Sequence, residues 1–426
     1  MHRVELSLFD LTMCVSDAMD MVSPTVVDHH KKVAFIAVAM GKEMQLDQKD
    51  LMELLLASLL HDSGALSLRE RLNALDFEIE NPHKHAELGY LMLKDFPFYE
   101  EVAEMIRFHH VNWAEEHKFA SGSSKGAIPY GSRIIHLADR VSVLIKDDSY
   151  ILNQADDIKQ KIEMERGHMF DPELLDVLYQ ASAREAFWLD AVSPYLDSHL
   201  VSYVGKSYLK LGMNELLEIA NLFRKVIDFR SAFTTTHSMG VATTATMLAE
   251  IVGFSETECK MIKTAGYLHD LGKLAIPREI LEKPGKLTGE EFRLIKSHTY
   301  YTYRTLERLP QLETINQWGA YHHERLNGYG YPFCLTKEEL PLGSRIMAVA
   351  DIFTALTEDR PYRQGMKPTK VIDILEKMVE NGTVDLKVVA ALKENLQKVN
   401  EARIEAQRIS HDEYEDLEIE KKENAK

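Results

Sequence analysis

Long apolar runs are missing from this chain of 426 residues: none approaches the roughly 20 residues a membrane-spanning helix needs, so no transmembrane segment is expected. The N-terminus, Met1-His2-Arg3-Val4-Glu5, lacks the basic stretch and apolar core of a signal peptide, and a cytoplasmic location is expected. Cysteine is scarce. Cys14, Cys259 and Cys334 stand far apart with no CxxC, which argues against a disulfide framework or a thiolate metal site. Positive charge is outweighed, with 50 Lys and Arg against 67 Asp and Glu and a net charge of −17. Loose adhesion to nucleic acid or anionic lipid is therefore disfavoured, and an anionic substrate would need a local cluster of cations. Alternating β-branched runs are few. Apolar residues recur instead at three- and four-residue spacing through Leu51 to Leu60, Met247 to Val252 and Met261 to Leu268, which predicts an all-α fold.

What is abundant is histidine, 18 in all, and the positions repeat. His61-Asp62 and His269-Asp270 are related by an offset of 208, which His29 and His237 share. The same offset pairs Asp47 with Ser255, each at the expected N-cap of the helix carrying its His-Asp pair. In the second copy the cap reads Ser255-Glu256-Thr257-Glu258, a capping box. The offset becomes 213 for His85 with His298, His109 with His322 and His110 with His323. It becomes 212 for Gly131-Ser132-Arg133-Ile134 against Gly343-Ser344-Arg345-Ile346, and for Asp139 against Asp351. A tandem duplication of one helical bundle follows: a first domain over residues 1–205 and a second over 206–400, its opening helix running from a cap at Asn214 to about Arg230. The charged segment 401–426 is expected to be frayed or disordered.

Imidazoles and carboxylates without thiolates suit borderline divalent ions: iron, manganese, zinc, cobalt or nickel. A lone histidine is usually a satisfied core or surface residue; the recurring constellation is what points to metal. His269 and Asp270, expected on a helix about 100° apart, can lean toward one ion, as can His322 and His323. Asp351 follows the apolar run Ile346 to Ala350, so its carboxylate is expected to point inward, where a cation would be its partner.

His237, His269-Asp270, Lys273, His298, His322-His323, Asn327-Gly328-Tyr329-Gly330-Tyr331-Pro332 and Asp351 together resemble the HD-GYP family of cyclic dinucleotide phosphodiesterases, over about residues 223–370. The resemblance implies a binuclear centre bridged by Asp270, with His237, His269 and Asp351 on one metal and His298, His322 and His323 on the other. Iron or manganese is the family's usual preference. Some members add a third ion through a glutamate four residues before the first histidine; Phe233 stands there in this chain, so two ions are expected. A hydroxide bridging the pair would attack phosphorus, giving the linear dinucleotide. Asp270 would hold the pair in register, and Lys273 would stabilise phosphoryl charge or assist proton transfer. Gly330, Tyr331 and Pro332 would shape the substrate mouth, and Arg360 and Arg363 match positions that contact substrate phosphates.

The first copy keeps His29, His61, Asp62, His85, His109, His110 and Asp139, enough for a second metal site on ligands alone. It lacks the accessory parts: Ala65 replaces Lys273, no GYP follows His110, and Asp148 stands at the position of Arg360. It is expected to be a regulatory or dimerising module that contacts the second domain. The tandem build resembles the family's 3′3′-cyclic GMP-AMP phosphodiesterases, which places that dinucleotide level with cyclic di-GMP as expected substrate. Two other readings stand beside it: an HD phosphohydrolase acting on mononucleotides or alarmones, and a noncatalytic adaptor with structural ligands only. No stable nucleic-acid or membrane partner is expected, and self-association as a homodimer is compatible with the sequence.

Overall fold

The computed structural model describes residues 4–21, 28–65, 77, 83–96, 98–119, 127–205, 208–228, 235–359 and 364–424. Among these the chain is helical apart from loops and one two-stranded sheet. It begins with strand β1 (Val4–Ser7) and helix α1 (Leu8–Asp20), followed by α2 (His29–Glu43), α3 (Gln48–Leu60), α4 (His83–Leu93), α5 (Glu100–Arg107) and α6 (Tyr130–Leu144). Helices over Ile151–Glu163, Pro172–Ala181, Glu185–Ala191 and Leu196–Val204 lead to strand β2 (Tyr208–Leu211). Then come α7 (Met213–Asp228), α8 (His237–Ile251), α9 (Glu256–Leu268), α10 (Gly289–Leu306), α11 (Glu313–Ala320), α12 (Leu342–Thr357) and, after two short helices, α13 (Leu396–Asn424).

The chain divides into two compact units, one of residues 19–207 with 419–426 and one of residues 1–18 with 208–418. The first 18 residues thus fold with the second unit, where the sequence placed them in the first domain. The reason is non-local. β1 pairs antiparallel with β2, Val4 opposite Leu211 and Ser7 opposite Tyr208. Behind it Phe9, Met13 and Cys14 are buried, the Cys14 thiol donates to the Thr305 carbonyl at 3.1 Å, and Arg308 pairs with Asp17 at 2.8 Å. A four-residue strand carries too few positions to show a period.

Each unit is built round one helix buried on almost every side, as a bundle's central helix must be. In the first unit this is α2, where Val33 through Met40 are all buried and the neighbours are α3 and α6. In the second it is α8, packed between α9 and α12. α8 and α9 cross closely because Gly266 lies against Ala242: a Cβ there would come 2.5 Å from the Ala242 Cα. The Asp47 carboxylate accepts from the Asp50 N–H at 2.9 Å at the start of α3. Ser255 and Glu258 form the reciprocal capping box at the start of α9, and Thr288 with Glu291 forms another at α10 that the sequence reading did not pick out. Such caps contribute about 1 kcal/mol each. Asn214, expected as a cap, lies inside α7, whose first turn closes on the Gly212 carbonyl.

The expected frayed tail is instead the continuous helix α13. Val399, Arg403 and Ser410 are buried along one side. The buried guanidinium of Arg224 on α7 donates to the Ser410 hydroxyl at 2.8 Å and the Glu413 carboxylate at 2.7 Å. A burial face of so few residues is easily overlooked in a charge-rich stretch. No described helix is long and apolar enough to cross a membrane.

Candidate metal centres

In the second unit five segments converge. α8 presents His237 at its first position; α9 ends at Leu268, so His269 is its C-cap and Asp270 enters a 3₁₀ turn, Leu271–Ala275. The pair therefore sits at a helix end, not along a helix as the sequence suggested. α10 contributes His298, the turn after α11 gives His322 and His323, and α12 gives Asp351. His323 is partly exposed; the other six are buried.

The ligand atoms form two groups around one carboxylate. His237, His269 and Asp351 form one, His298, His322 and His323 the other, each with its atoms within 4.8 Å of one another. Asp270 Oδ2 lies 3.2 Å from His269 Nε2 and 3.9 Å from His237 Nε2, while its Oδ1 lies 3.4 Å from His298 Nε2. One oxygen faces each group. His237 Nε2 is 3.3 Å from Asp351 Oδ1, and His323 Nδ1 is 3.8 Å from Asp351 Oδ2.

Backbone carbonyls fix the ring orientations. The Nδ1 atoms of His269, His298 and His322 face the carbonyls of Gly266, Ile295 and Gly319 at 2.7, 2.6 and 2.7 Å. Only an N–H can satisfy a carbonyl, so Nδ1 carries the proton and the Nε2 lone pair points into the site. His237 Nδ1 instead faces the Glu358 carboxylate at 3.2 Å.

Electrostatics prepares the same groups for a cation. Burial pushes the imidazoles of His298 and His323 down to about 4 and about 3 and, with His323 and His269 alongside, drives His322 well down too. They are neutral at neutral pH, as ligands must be. Burial would raise the carboxyls of Asp270 and Asp351, yet the surrounding histidines, with Lys273 at Asp270, hold both well below the usual range. His237 is the exception: burial opposes its charge, but Glu358 and Asp351 outweigh that and raise the imidazole to about 10, so a cation binding there has to displace its Nε2 proton. Buried His269 Nε2 and Asp270 Oδ1 make no hydrogen bond. A divalent cation satisfies such a set, and the residues present fit one.

The accessory candidates divide. Lys273 donates to Asp270 Oδ2. Tyr331 packs on His323, ring centroids 4.9 Å apart, and its N–H donates to the His323 carbonyl at 3.3 Å. Gly330 is required where it stands, since a Cβ would come 2.3 Å from the Arg325 nitrogen; Pro332, which follows Tyr331, is partly buried. Arg360, Arg363 and Phe233 lie outside the described residues. Three residues escaped the sequence reading. Lys296 holds its ammonium 4.6 Å from the Tyr331 ring centroid, Arg325 is partly buried within reach of the Asp351 charge, and Glu358 orients His237. Their repeat positions are His83, Asn112 and Lys146, so the duplication gave no signal for them.

The first unit repeats the arrangement. His29 begins α2, His61 caps the end of α3 with Asp62 next, α4 carries His85, His109 and His110 follow α5, and α6 carries Asp139. His29, His61 and Asp139 form one group and Asp62, His85, His109 and His110 another, all buried. Arg140 donates to Asp139, and Ala65 is buried where the second unit has Lys273.

Comparison with known proteins agrees with this duplication. The HD domain family pattern matches twice, over residues 13–174 and 221–388. The chain is similar to the 3′3′-cGAMP-specific phosphodiesterase 1 of Vibrio cholerae, 30% identical over 90% of this chain and 91% of the relative. It is also similar to a cyclic di-GMP phosphodiesterase of Pseudomonas aeruginosa, 36% identical over 49% of this chain and 49% of that one. A crystal structure of a cyclic GMP-AMP-specific phosphodiesterase from V. cholerae shares the fold, with a TM-score of 0.64 and 24% identity over 92% of this chain and 98% of that one. With both copies matched and the His-Asp pair of each set among converging imidazoles, the chain belongs to the HD domain family as a tandem member whose second copy carries the GYP segment.

Proposed function

We propose that the second unit is a metal-dependent phosphodiesterase that opens a cyclic dinucleotide to its linear form, with 3′3′-cyclic GMP-AMP the first candidate and cyclic di-GMP the second. The observation that carries this is Asp270, whose two oxygens each face a separate histidine group. The ranking rests on the V. cholerae relative that spans nearly the whole chain, whereas the cyclic di-GMP relative matches about half.

His237, His269 and Asp351 would hold one divalent ion and His298, His322 and His323 the other, with Asp270 between them; iron or manganese fits the donor set. When bound, such a pair supplies an activated water at neutral pH and neutralises phosphate charge. The chain's own residues do the rest. Lys273 stands beside Asp270 with its side chain 21% exposed, at the boundary between ligands and solvent, where its ammonium can hold a non-bridging phosphoryl oxygen. Tyr331 offers an aromatic face to a base, with the Lys296 ammonium over that ring. Arg325 and Lys296 supply the local cations that a protein of net charge −17 needs for an anionic substrate, and Arg360 and Arg363 are proposed to add to them. The first unit, without the lysine and GYP segment, is proposed as a regulatory module.

Metal-loaded protein incubated separately with 3′3′-cyclic GMP-AMP, cyclic di-GMP and a mononucleotide ester tests this. Linear dinucleotide is expected from at least one cyclic substrate and from none with Asp270→Ala. Hydrolysis of the mononucleotide ester alone would move the chain to the mononucleotide phosphohydrolases.

A further inference from the structure

We propose that the first unit is a second metal centre, joined to a pocket that takes a mononucleotide-sized phosphate ester, so that the regulatory copy senses a phosphorylated ligand. The proposal rests on the first unit's own residues and stands whatever the second unit hydrolyses.

The metal half follows from counting donors. The Nδ1 atoms of His61 and His109 face the carbonyls of Ser58 and Ile106 at 2.8 and 2.6 Å, so their Nε2 atoms are bare lone pairs. Those two atoms, with His29 Nε2, Asp62 Oδ1 and Asp139 Oδ1, are buried and make no hydrogen bond. They nonetheless converge: His29 Nε2 lies 3.3 Å from Asp139 Oδ1, and His109 Nε2 lies 3.9 Å from Asp62 Oδ1. His85 and His110 bring Nε2 atoms within 2.9 Å of each other, where at most one can carry a proton. A hydrogen-bonded polar core needs a donor for each acceptor; in this core the fixed lone pairs of His61 and His109 face the carboxylates of Asp62 and Asp139 with no donor between them. Burying it without a cation is costly, and divalent metal resolves every one of these contacts.

Asp62 has the bridging disposition of Asp270. Its Oδ1 lies 3.1 Å from His85 Nε2 and its Oδ2 lies 3.5 Å from His61 Nε2. Gly64 keeps the backbone approach on which this depends, for a Cβ there would come 2.1 Å from the His85 carbonyl oxygen, as one at Gly272 would come 2.0 Å from that of His298.

The ligand half follows from a cavity of about 520 Å³ that opens on the same cluster, inside the ~300–1,000 Å³ range of small-molecule sites. His83, His110, Asn112, His136 and Arg140 line it. By the repeat, His83 and Asn112 stand where Lys296 and Arg325 stand around Tyr331, so the cavity occupies the position of the second unit's substrate mouth. The chemistry has changed. Arg140 is 1% exposed and His136 5% exposed; the guanidinium is held by Asp139 and the Phe77 carbonyl, so the deep wall offers a fixed positive charge and a ring nitrogen next to the metal ligand His110. Two carboxylates also line the cavity, and both are engaged: Glu115 by Lys118 and Glu165 by His168. A metal pair with an arginine beside it selects a phosphate dianion, and the volume leaves room for a nucleoside. With no lysine at position 65, such a ligand would be held rather than turned over.

The test uses full-length protein in which His269→Ala and Asp270→Ala disable the second centre. After loading with Mn²⁺ and gel filtration, this variant is expected to retain about half of the wild-type metal by elemental analysis, and the further pair His61→Ala and Asp62→Ala to remove it. His109→Gln is the alternative removal should that pair fail to fold. Calorimetric titration with GMP, AMP and inorganic phosphate separates nucleotide from free anion. Binding of a mononucleotide that requires Mn²⁺ and weakens about tenfold or more when His83 and Asn112, which line the cavity, are both replaced by alanine, with metal content unchanged, supports the proposal. Three results would overturn it: no metal in the first variant, metal without nucleotide binding, or a preference for inorganic phosphate over both nucleotides.

Discussion

Gly272 stands where a side chain has no room. Its backbone N–H donates to the Thr302 hydroxyl at 2.9 Å, and that hydroxyl donates to the His269 carbonyl at 3.0 Å, so one glycine locks the turn after His-Asp onto α10. Gly272→Ala forces α10 outward and moves His298 from Asp270. The expected cost is about 1–3 kcal/mol of stability, read as a lower Tm, together with reduced metal retention; a variant with wild-type metal content and Tm would contradict the packing argument. At this scale the converging histidines and aspartates were legible because the chain writes them twice, in the same order. Lys296, Arg325 and Glu358 were not. Each is a common residue type at a position where the other copy has a different chemistry, and only the packing of Tyr331, Asp351 and His237 beside them gives them a role.

The helices were readable where the period was strong, as in α3 and α9, and where a cap announced them, as at Asp47 and Ser255. α13 was not, because charged residues and Gln fill most of its positions and its burial face is narrow. That face nevertheless reaches the site. Gln407 donates to Glu358 Oε2 at 3.2 Å, Glu358 faces His237 Nδ1, and Gly240 on α8 gives Gln407 room to approach, a Cβ there falling 2.9 Å from its side-chain nitrogen. Truncating the chain before Arg403 is therefore expected to lower the Tm of the second unit and weaken its metal retention. Gln407→Ala alone should weaken retention with a smaller stability change, because it leaves Arg224 with Ser410 and Glu413 in place. Unaltered metal affinity in both variants would show that α13 only covers the core.

For the whole molecule, the duplication was visible in the sequence but the partition of the chain was not. Nothing in a four-residue strand says that it pairs with one some two hundred residues away. The consequence is practical. Deleting residues 1–207 to isolate the half proposed to be catalytic removes β1 and α1 and uncovers the surfaces that Phe9, Met13 and Cys14 bury. That fragment is expected to be aggregation-prone, while one joining residues 1–18 to 208–426 through a flexible linker should fold cooperatively. Equal solubility and equal unfolding midpoints for the two fragments would contradict this partition.

The most direct measurement is turnover of 3′3′-cyclic GMP-AMP by metal-stripped protein titrated with Mn²⁺, with linear product followed by chromatography and bound metal counted at each point. Activity absent without metal, rising as the second unit fills and abolished throughout in Asp270→Ala, is the predicted result. Product formed by stripped protein, or full activity with Asp270 replaced, would contradict the reading of Asp270 as the carboxylate between two metals.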